Sequence, residues 1–306
     1  GMLRAAYAYC GLPAFVSLSM AGSGRALVQR RSPAAISVIP WMSGVLSRQT
    51  PTPGKTLNQR MNNDQVFTKN PTLALYLSQE HDCSYLPDQQ ARTLFLDPST
   101  TVDALLYQFL IDQGFRRSGA HLYRPACNSC NACTSLRLPV AEFRPNRSQR
   151  RCWKRNFGRF SITPCPAEFD EEHYALYEEY LQQRHPDGSM SNTDPQQYLS
   201  FLTTPWAETV FYEFRYKGRL AAVAATDLLP EGISSVYTFF DPGIQTEGIG
   251  VFALLWQIQH AEKLGRRWLY PGYWIRNCYK SRYRPLEAWN GQEWLRFGSG
   301  ETLVLP

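Results

Sequence analysis

The chain has 306 residues, 43% of them hydrophobic and 13% aromatic, with eight cysteines and a formal charge of +6. That length and apolar content suit two ordinary domains with real cores and exclude a disordered polyelectrolyte. The absence of any apolar run of about 18 residues excludes a membrane-spanning helix, and cysteines spread unevenly without a secretory pattern point to a reducing compartment, the cytoplasm, and to metal or redox roles over a disulfide framework.

Residues 1–60 hold six Arg, one Lys and no acid, a charge of +7 that leaves −1 for residues 61–306. This leader lacks periodicity and is expected to pack no core. It reads as an organelle transit segment or as sequence upstream of a start at Met61, the second being preferred. Pro51, Pro53 and Gly54 mark a flexible join. Beyond it we expect a cysteine-containing α+β domain over 61–160 and a second α+β domain over 161–306.

From Leu73, LALYLS predicts a strand, broken by Glu80, His81 and Asp82 ahead of CSYLP. Asp97-Pro-Ser99 predicts the cap of a helix over Thr101–Gln113, with Val102, Leu105, Leu106, Phe109 and Leu110 on one face and Gly114 at its end. FRRSGAHLYRP predicts a strand and turn leading into YRPACNSCNAC. There Cys127, Cys130 and Cys133 form a C-x2-C-x2-C run, spaced so that the sulfurs can face one metal ion or cluster from a tight turn. Pro125, Asn128, Ser129 and Asn131 favour that turn over a helix. The bacterial ferredoxin run would place a further Cys and a Pro where Arg137 and Leu138 stand. A four-coordinate zinc or iron–sulfur site therefore needs a distant ligand, Cys83 first, then His121 and Cys152. The plainer reading is three reduced thiols in a turn.

SLRLPV predicts another strand. Arg137–Arg159 then carries seven Arg and one Lys against Glu142 alone. Its centre, RPNRSQRRCWKRN, sets Arg147, Arg150, Arg151, Lys154 and Arg155 among Trp153 and the nearby Phe143 and Phe157. Cations interleaved with rings suit a nucleic-acid backbone and an unpaired base; the alternative is a solvated basic helix face. Glu171–Gln183 has helical spacing in Tyr174, Leu176, Tyr177, Tyr180 and Leu181. RHPDGSM follows, with His185 and Asp187 as a base and its orienter or as turn chemistry.

In the last third, TVFYEFRYKGRLAAVAATDLL predicts two strands joined at Lys217-Gly218, and SSVYTFFD a third. VFALLWQIQHAEKLG predicts a helix ended by Gly265, and RRWLYPGYWI a further strand. The order is that of an α+β or mixed α/β fold. Gln245, Gly248 and Gly250 spell Q-x-x-G-x-G between strand and helix N-terminus, where backbone N–H groups and the helix dipole can approach a phosphate. The loop resembles the acyl-CoA loop of GNAT acyltransferases.

CSYLP, LFLDP, YRPACNSCNAC with SLRLPV, RPNRSQRRCWKRN, RHPDGSM, YTFFDP, LLWQIQHAEKLG and LYPGYWI with RYRPLE together resemble the arginyl-tRNA–protein transferase family, and within it the bacterial leucyl-transferring branch. The resemblance covers roughly Leu73 to Trp289. One departure is RNCYKSR, with Lys280, where members commonly have a longer stretch carrying a Lys-Met pair. The resemblance implies a GNAT-like acyltransferase domain that moves leucine from Leu-tRNA to the α-amino group of proteins or peptides beginning with Asp or Glu, marking them for N-end rule degradation. No cofactor is then needed for transfer. Tyr237 would donate to the oxyanion, Asp241 would hold the attacking amine or take its proton, and the glycine loop would meet the terminal adenosine. A GNAT N-acyltransferase using acyl-CoA explains the loop but not the arginines. An arginyl donor and a non-catalytic nucleic-acid or iron–sulfur module are the other readings.

Overall fold

The computed structural model describes residues 73–184, 194–243, 248–275 and 278–303 as a mixed α/β fold. In chain order the elements are β1 (Leu75–Leu77), β2 (His81–Asp82), β3 (Gln90–Ala91), β4 (Thr93–Leu96), α1 (Ala104–Asp112), β5 (Arg116–Ser118), β6 (His121–Pro125) and β7 (Thr134–Pro139). They continue with α2 (Arg147–Asn156), β8 (Phe160–Pro166), α3 (Glu171–Arg184), α4 (Pro195–Leu202), β9 (Glu208–Tyr216), β10 (Arg219–Leu228) and β11 (Gly232–Phe240). The last are α5 (Ile249–Lys263), β12 (Trp268–Trp274), β13 (Leu286–Trp289) and β14 (Trp294–Phe297). Among the described residues no helix is long and apolar enough to cross a membrane.

Eight strands form the central sheet in the order β14-β13-β7-β12-β11-β10-β9-β8, and a smaller sheet runs β1-β4-β6-β5. The chain crosses itself here: β7 is hydrogen-bonded between β12 and β13, both of which follow it by more than a hundred residues. β9 and β10 are joined where Lys217 and Gly218 both take positive φ, 49° and 83°, as a two-residue hairpin with right-handed twist requires. Side chains alternate across β10. Val223 and Ala225 pack with Tyr177, Leu181, Tyr198 and Phe201 of α3 and α4. Ala222 and Ala224 pack with Phe252 and Ala253 of α5. The sheet is thus covered on both faces.

The helix expected over Thr101–Gln113 starts later. Asp103, not Asp97 or Ser99, caps it, accepting from the Leu106 amide at 2.8 Å. Asp97 instead closes its own turn on the Ser99 amide at 2.8 Å. Leu105, expected on the inner face, points outward, 61% exposed, and Tyr107, Gln108, Leu110 and Ile111 are buried. The basic segment is helical: Asn146 and Gln149 bond reciprocally as a capping box at the start of α2, a local signal for a helix N-terminus.

Among the described residues β11 and β12 are the one parallel pair in the central sheet. They pair only through Gly232↔Trp268, Ile233↔Leu269 and Ser234↔Tyr270. Beyond these, β11 stays with β10 as far as Phe240, while β12 stays with β7 as far as Trp274. Pro271 has no N–H to donate across the gap. Gly272 sits at φ 93°, where the β12–β7 register shifts. The sheet therefore splits between Ser235–Phe240 and Pro271–Trp274.

One buried ion pair ties the layers together. The Arg117 guanidinium (β5) meets the Asp227 carboxylate (β10) through Nε at 2.5 Å and Nη2 at 2.7 Å, with side chains 1% and 0% exposed. Tyr107 of α1 and Thr209 of β9 donate to the same carboxylate at 2.8 and 2.7 Å. Arg117 also reaches the Leu202 carbonyl of α4 at 2.7 Å. Asp227→Ala leaves a buried guanidinium unpaired and should lower unfolding free energy by roughly 3–5 kcal/mol in denaturant titration. A midpoint equal to the parent's would show that the pair does not hold the layers together.

Candidate active site

The split is the natural place for chemistry, because a parting of parallel strands leaves a crevice at their carboxyl ends. α5 follows β11 and begins beside that crevice. Its N-cap is Gly248 at φ 90°, with no side-chain cap and no acid in the first turn, so the first amides and the positive end of the dipole remain for an anion. α2 leans on this end. The Cys152 thiol meets the Gly248 carbonyl at 3.4 Å, and Trp153 packs on Phe252 with ring centroids 5.3 Å apart. A Cβ at Gly248 would lie 3.0 Å from the Cys152 sulfur, and one at Gly250 would lie 3.3 Å from the Phe240 ring. Both glycines thus serve close packing as well as the loop.

With its inner side against α5, α2 turns Arg147, Arg150, Arg151, Lys154 and Arg155 to solvent. Phe157, just past its end, is 66% exposed and stacks on Trp153 at 5.3 Å. The basic residues and the glycine loop, separated by about a hundred positions in sequence, are neighbours in space.

Tyr237 lies on β11 beside the split, 5% exposed, against Tyr177, Tyr180 and Phe201. Its hydroxyl is buried without a hydrogen-bond partner. Burial, reinforced by Tyr180 and Tyr177, holds its pKa well above the ordinary tyrosine value, so it stays a donor. Asp241 is 2% exposed. One carboxylate oxygen takes Arg219 at 2.7 Å and the other the Gly243 amide at 2.7 Å. These contacts are those of a residue that starts a turn. Gln245, His185 and Asp187 lie outside the described residues, as do residues 1–60.

Cys127, Cys130 and Cys133 occupy the loop between β6 and β7, and Cys83 the loop between β2 and β3; all four are free and partly buried. They come together: burial first, then Cys83, Cys127 and Cys130, push the Cys133 thiol up to about 12. Such thiols are soft donors suited to zinc or an iron–sulfur cluster, though no three of the sulfurs lie within 4.8 Å of one another. Cys152 is occupied at the α5 cap, as above.

Two further groups stand out in the structure. Cys165, His173 and Glu213 bring ligand-type atoms within 4.8 Å of one another, but Arg215 binds Glu213 at 2.6 Å and His173 binds it at 2.8 Å, so the group is an ion-pair network. The second is Lys280, partly buried beyond β12. Its Nζ lies 3.5 Å from the Tyr273 carbonyl and would lie 3.3 Å from a Cβ on Gly272. Burial and the neighbouring Arg116 bring its pKa down to about 8.

Comparison with known proteins identifies relatives of the chain. The family model for the N terminus of arginine-tRNA-protein transferase matches residues 81–151, and that for the C terminus matches residues 172–290. An aspartate/glutamate leucyltransferase of Pseudomonas fluorescens (strain Pf0-1) is 50% identical over 227 residues, 73% of this chain and 96% of its own length. One from Pseudomonas aeruginosa (strain LESB58) has the same identity and coverage. One from Alkalilimnicola ehrlichii is 49% identical over 73% of this chain and 95% of its own.

Proposed function

The chain belongs to the arginine-tRNA–protein transferase family, and from that premise we propose that it moves leucine from Leu-tRNA to the N-terminal α-amino group of proteins beginning with Asp or Glu. The observation that carries this reading is the seating of the basic helix α2 on the N-terminus of α5, beside the split between β11 and β12. Relatives sharing half of its residues over nearly their whole length are aspartate/glutamate leucyltransferases. The parted parallel strands with a helix N-terminus at the crevice support a GNAT-like centre, reused for an aminoacyl ester in place of acyl-CoA.

The chemistry asks little beyond positioning. The leucyl ester is already activated, so holding ester and amine together accounts for most of the rate. The exposed cations of α2 meet phosphates of the acceptor stem, and Gly248, Gly250 and the first α5 amides meet the terminal ribose and phosphate. Attack by the α-amine turns the ester carbonyl into an oxyanion, whose collapse breaks the ester bond and releases the tRNA terminal ribose hydroxyl, protonated at the expense of the amine. The unpartnered Tyr237 hydroxyl supplies a donor whose unmade hydrogen bond costs about 1–3 kcal/mol until the oxyanion arrives to accept it. Asp241, holding Arg219 and the Gly243 amide, fixes the start of the loop. Cys83, Cys127, Cys130 and Cys133 would hold a zinc ion or iron–sulfur cluster that staples the two loops; no step of transfer passes through it. The product, bearing an N-terminal leucine, is a signal for proteolysis in the cytoplasm.

Labelled Leu-tRNA, Arg-tRNA and acetyl-CoA offered with an Asp-initiated peptide should give transfer from Leu-tRNA alone, and Tyr237→Phe should slow it about 10²-fold with Leu-tRNA binding retained. Acetyl transfer in place of leucyl transfer would overturn the reading, and a Tyr237→Phe enzyme at parental rate would move the oxyanion donor elsewhere. Two to four phosphate contacts predict a log–log salt slope of ~2–4 for tRNA binding, which Arg150→Ala with Arg151→Ala should reduce; an unaltered slope returns α2 to a solvated face. Metal analysis of anaerobically purified protein should find metal in the parent and little in Cys130→Ser, and equal content in both would remove the cysteines as ligands.

A further inference from the structure

Three cations gather where β12 leaves β11, and among the described residues each of their hydrogen bonds ends on a backbone carbonyl. Arg116, 5% exposed, donates to the carbonyls of Ile111 (3.2 Å), Phe115 (2.6 Å) and Leu136 (2.7 Å). Its guanidinium lies over the rings of Tyr270 and Tyr273 at 5.2 and 5.9 Å, and its Nε is buried without a partner. Arg124 donates to the Gln113 carbonyl at 2.8 Å and lies over Phe115 at 5.1 Å. Lys280 reaches the Tyr273 carbonyl. Asp112, the acid whose charge is felt at Arg116, is engaged by Arg137 at 3.1 Å and Tyr270 at 2.7 Å.

Burying charge without a counter-charge costs several kcal/mol per ion, and three other arginines of this fold avoid it. Arg117 has Asp227, Arg137 has Asp112 and Glu287, and Arg215 has Glu172 and Glu213. Burial lowers the pKa of Arg116, Arg124 and Lys280 alike. The exception lies on the rim of the reaction crevice. Tyr270 is the last β12 residue paired with β11. Gly272 and Tyr273, the residues beneath the Lys280 ammonium, follow it after Pro271. Glycine at 272 leaves the ammonium its room, since any Cβ would press against it.

We propose that Lys280, backed by the Arg116 guanidinium, binds the side-chain carboxylate of the acceptor's N-terminal Asp or Glu and so sets the acidic specificity of transfer. This rests on the leucyl-transfer reading above. A single anion suits the place better than a nucleic-acid backbone does. The Lys280 ammonium lies over Gly272 and the Tyr273 carbonyl, on the part of β12 that has left β11, whereas the open face of α2 offers several cations in a row. Tyr237 on the β11 rim and Lys280 on the β12 rim then divide the work. One meets the ester oxygen of the donor, the other the acid of the acceptor, and the α-amine lies between.

The test uses the full chain with Leu-tRNA and four peptides beginning with Asp, Asn, Glu or Gln. The parent should favour Asp over Asn and Glu over Gln. Lys280→Gln should raise KM for the two acidic peptides about tenfold or more, as loss of a charge-assisted contact does, leave the amide peptides unchanged, and keep Leu-tRNA binding. Lys280→Arg should recover much of the acidic preference. An Asp-to-Asn ratio in Lys280→Gln equal to the parent's overturns the proposal. If the variants melt early, acetylation footprinting of the parent decides. The Asp-initiated peptide should shield Lys280 and the Asn-initiated peptide should not, and equal labelling with both overturns it. A parent that transfers no leucine to any peptide would instead refute the leucyl-transfer reading.

Discussion

The fold depends on the Arg117–Asp227 pair. Its ligands come from α1, α4, β5, β9 and β10, so one carboxylate fixes how the small sheet and α1 sit on the central sheet. A desolvated ion pair of this kind adds little net stability against an apolar substitute, but each partner punishes any arrangement that separates it from the other. The pair therefore sets geometry more than it adds stability. What it sets is the side of the sheet on which Arg116, the next residue in β5, must lie.

From that placement the crevice acquires two unlike rims. The β11 rim is held by β10 and lined with tyrosines. The β12 rim is held by β7 and backed by the cations of the small sheet. Pro271 and Gly272 keep the rims from zipping together, one by lacking a donor and the other by bending the strand at positive φ. The site is thus a consequence of where hydrogen bonding stops, and its polarity is a consequence of which neighbour lies behind each strand.

Much of this was legible in the sequence, for identifiable reasons. The strands of the last third, the turn at Lys217-Gly218 and α5 were readable because local spacing and turn chemistry agree with the fold. The neighbouring cysteines were readable from their run, and the family from many short motifs in order. The start of α1 was missed because Asp97, Ser99 and Asp103 are all competent caps, and only tertiary packing chooses among them. The place of β7 between β12 and β13 is a long-range pairing with no local mark. Lys280 looked like a loop residue in a shortened stretch; its position over Gly272 and the absence of an acid beside it among the described residues exist only in three dimensions. Asp241 was read from its place after a strand, and only the contacts of Arg219 and Gly243 show how its oxygens are used.

The insertion of β7 also bears on how the protein is made. Its Arg137 binds Glu287, 150 residues further on, and its backbone partners run from Trp268 to Ala288. A ribosome that has released the first half of this chain has released a strand with neither neighbour yet in existence. Unpaired strand edges are the places where nascent chains find wrong partners, and closure of a distant loop slows the right pairing. The central sheet can therefore close only near the end of synthesis, and a chain cut short before β13 would leave an edge of β7 open.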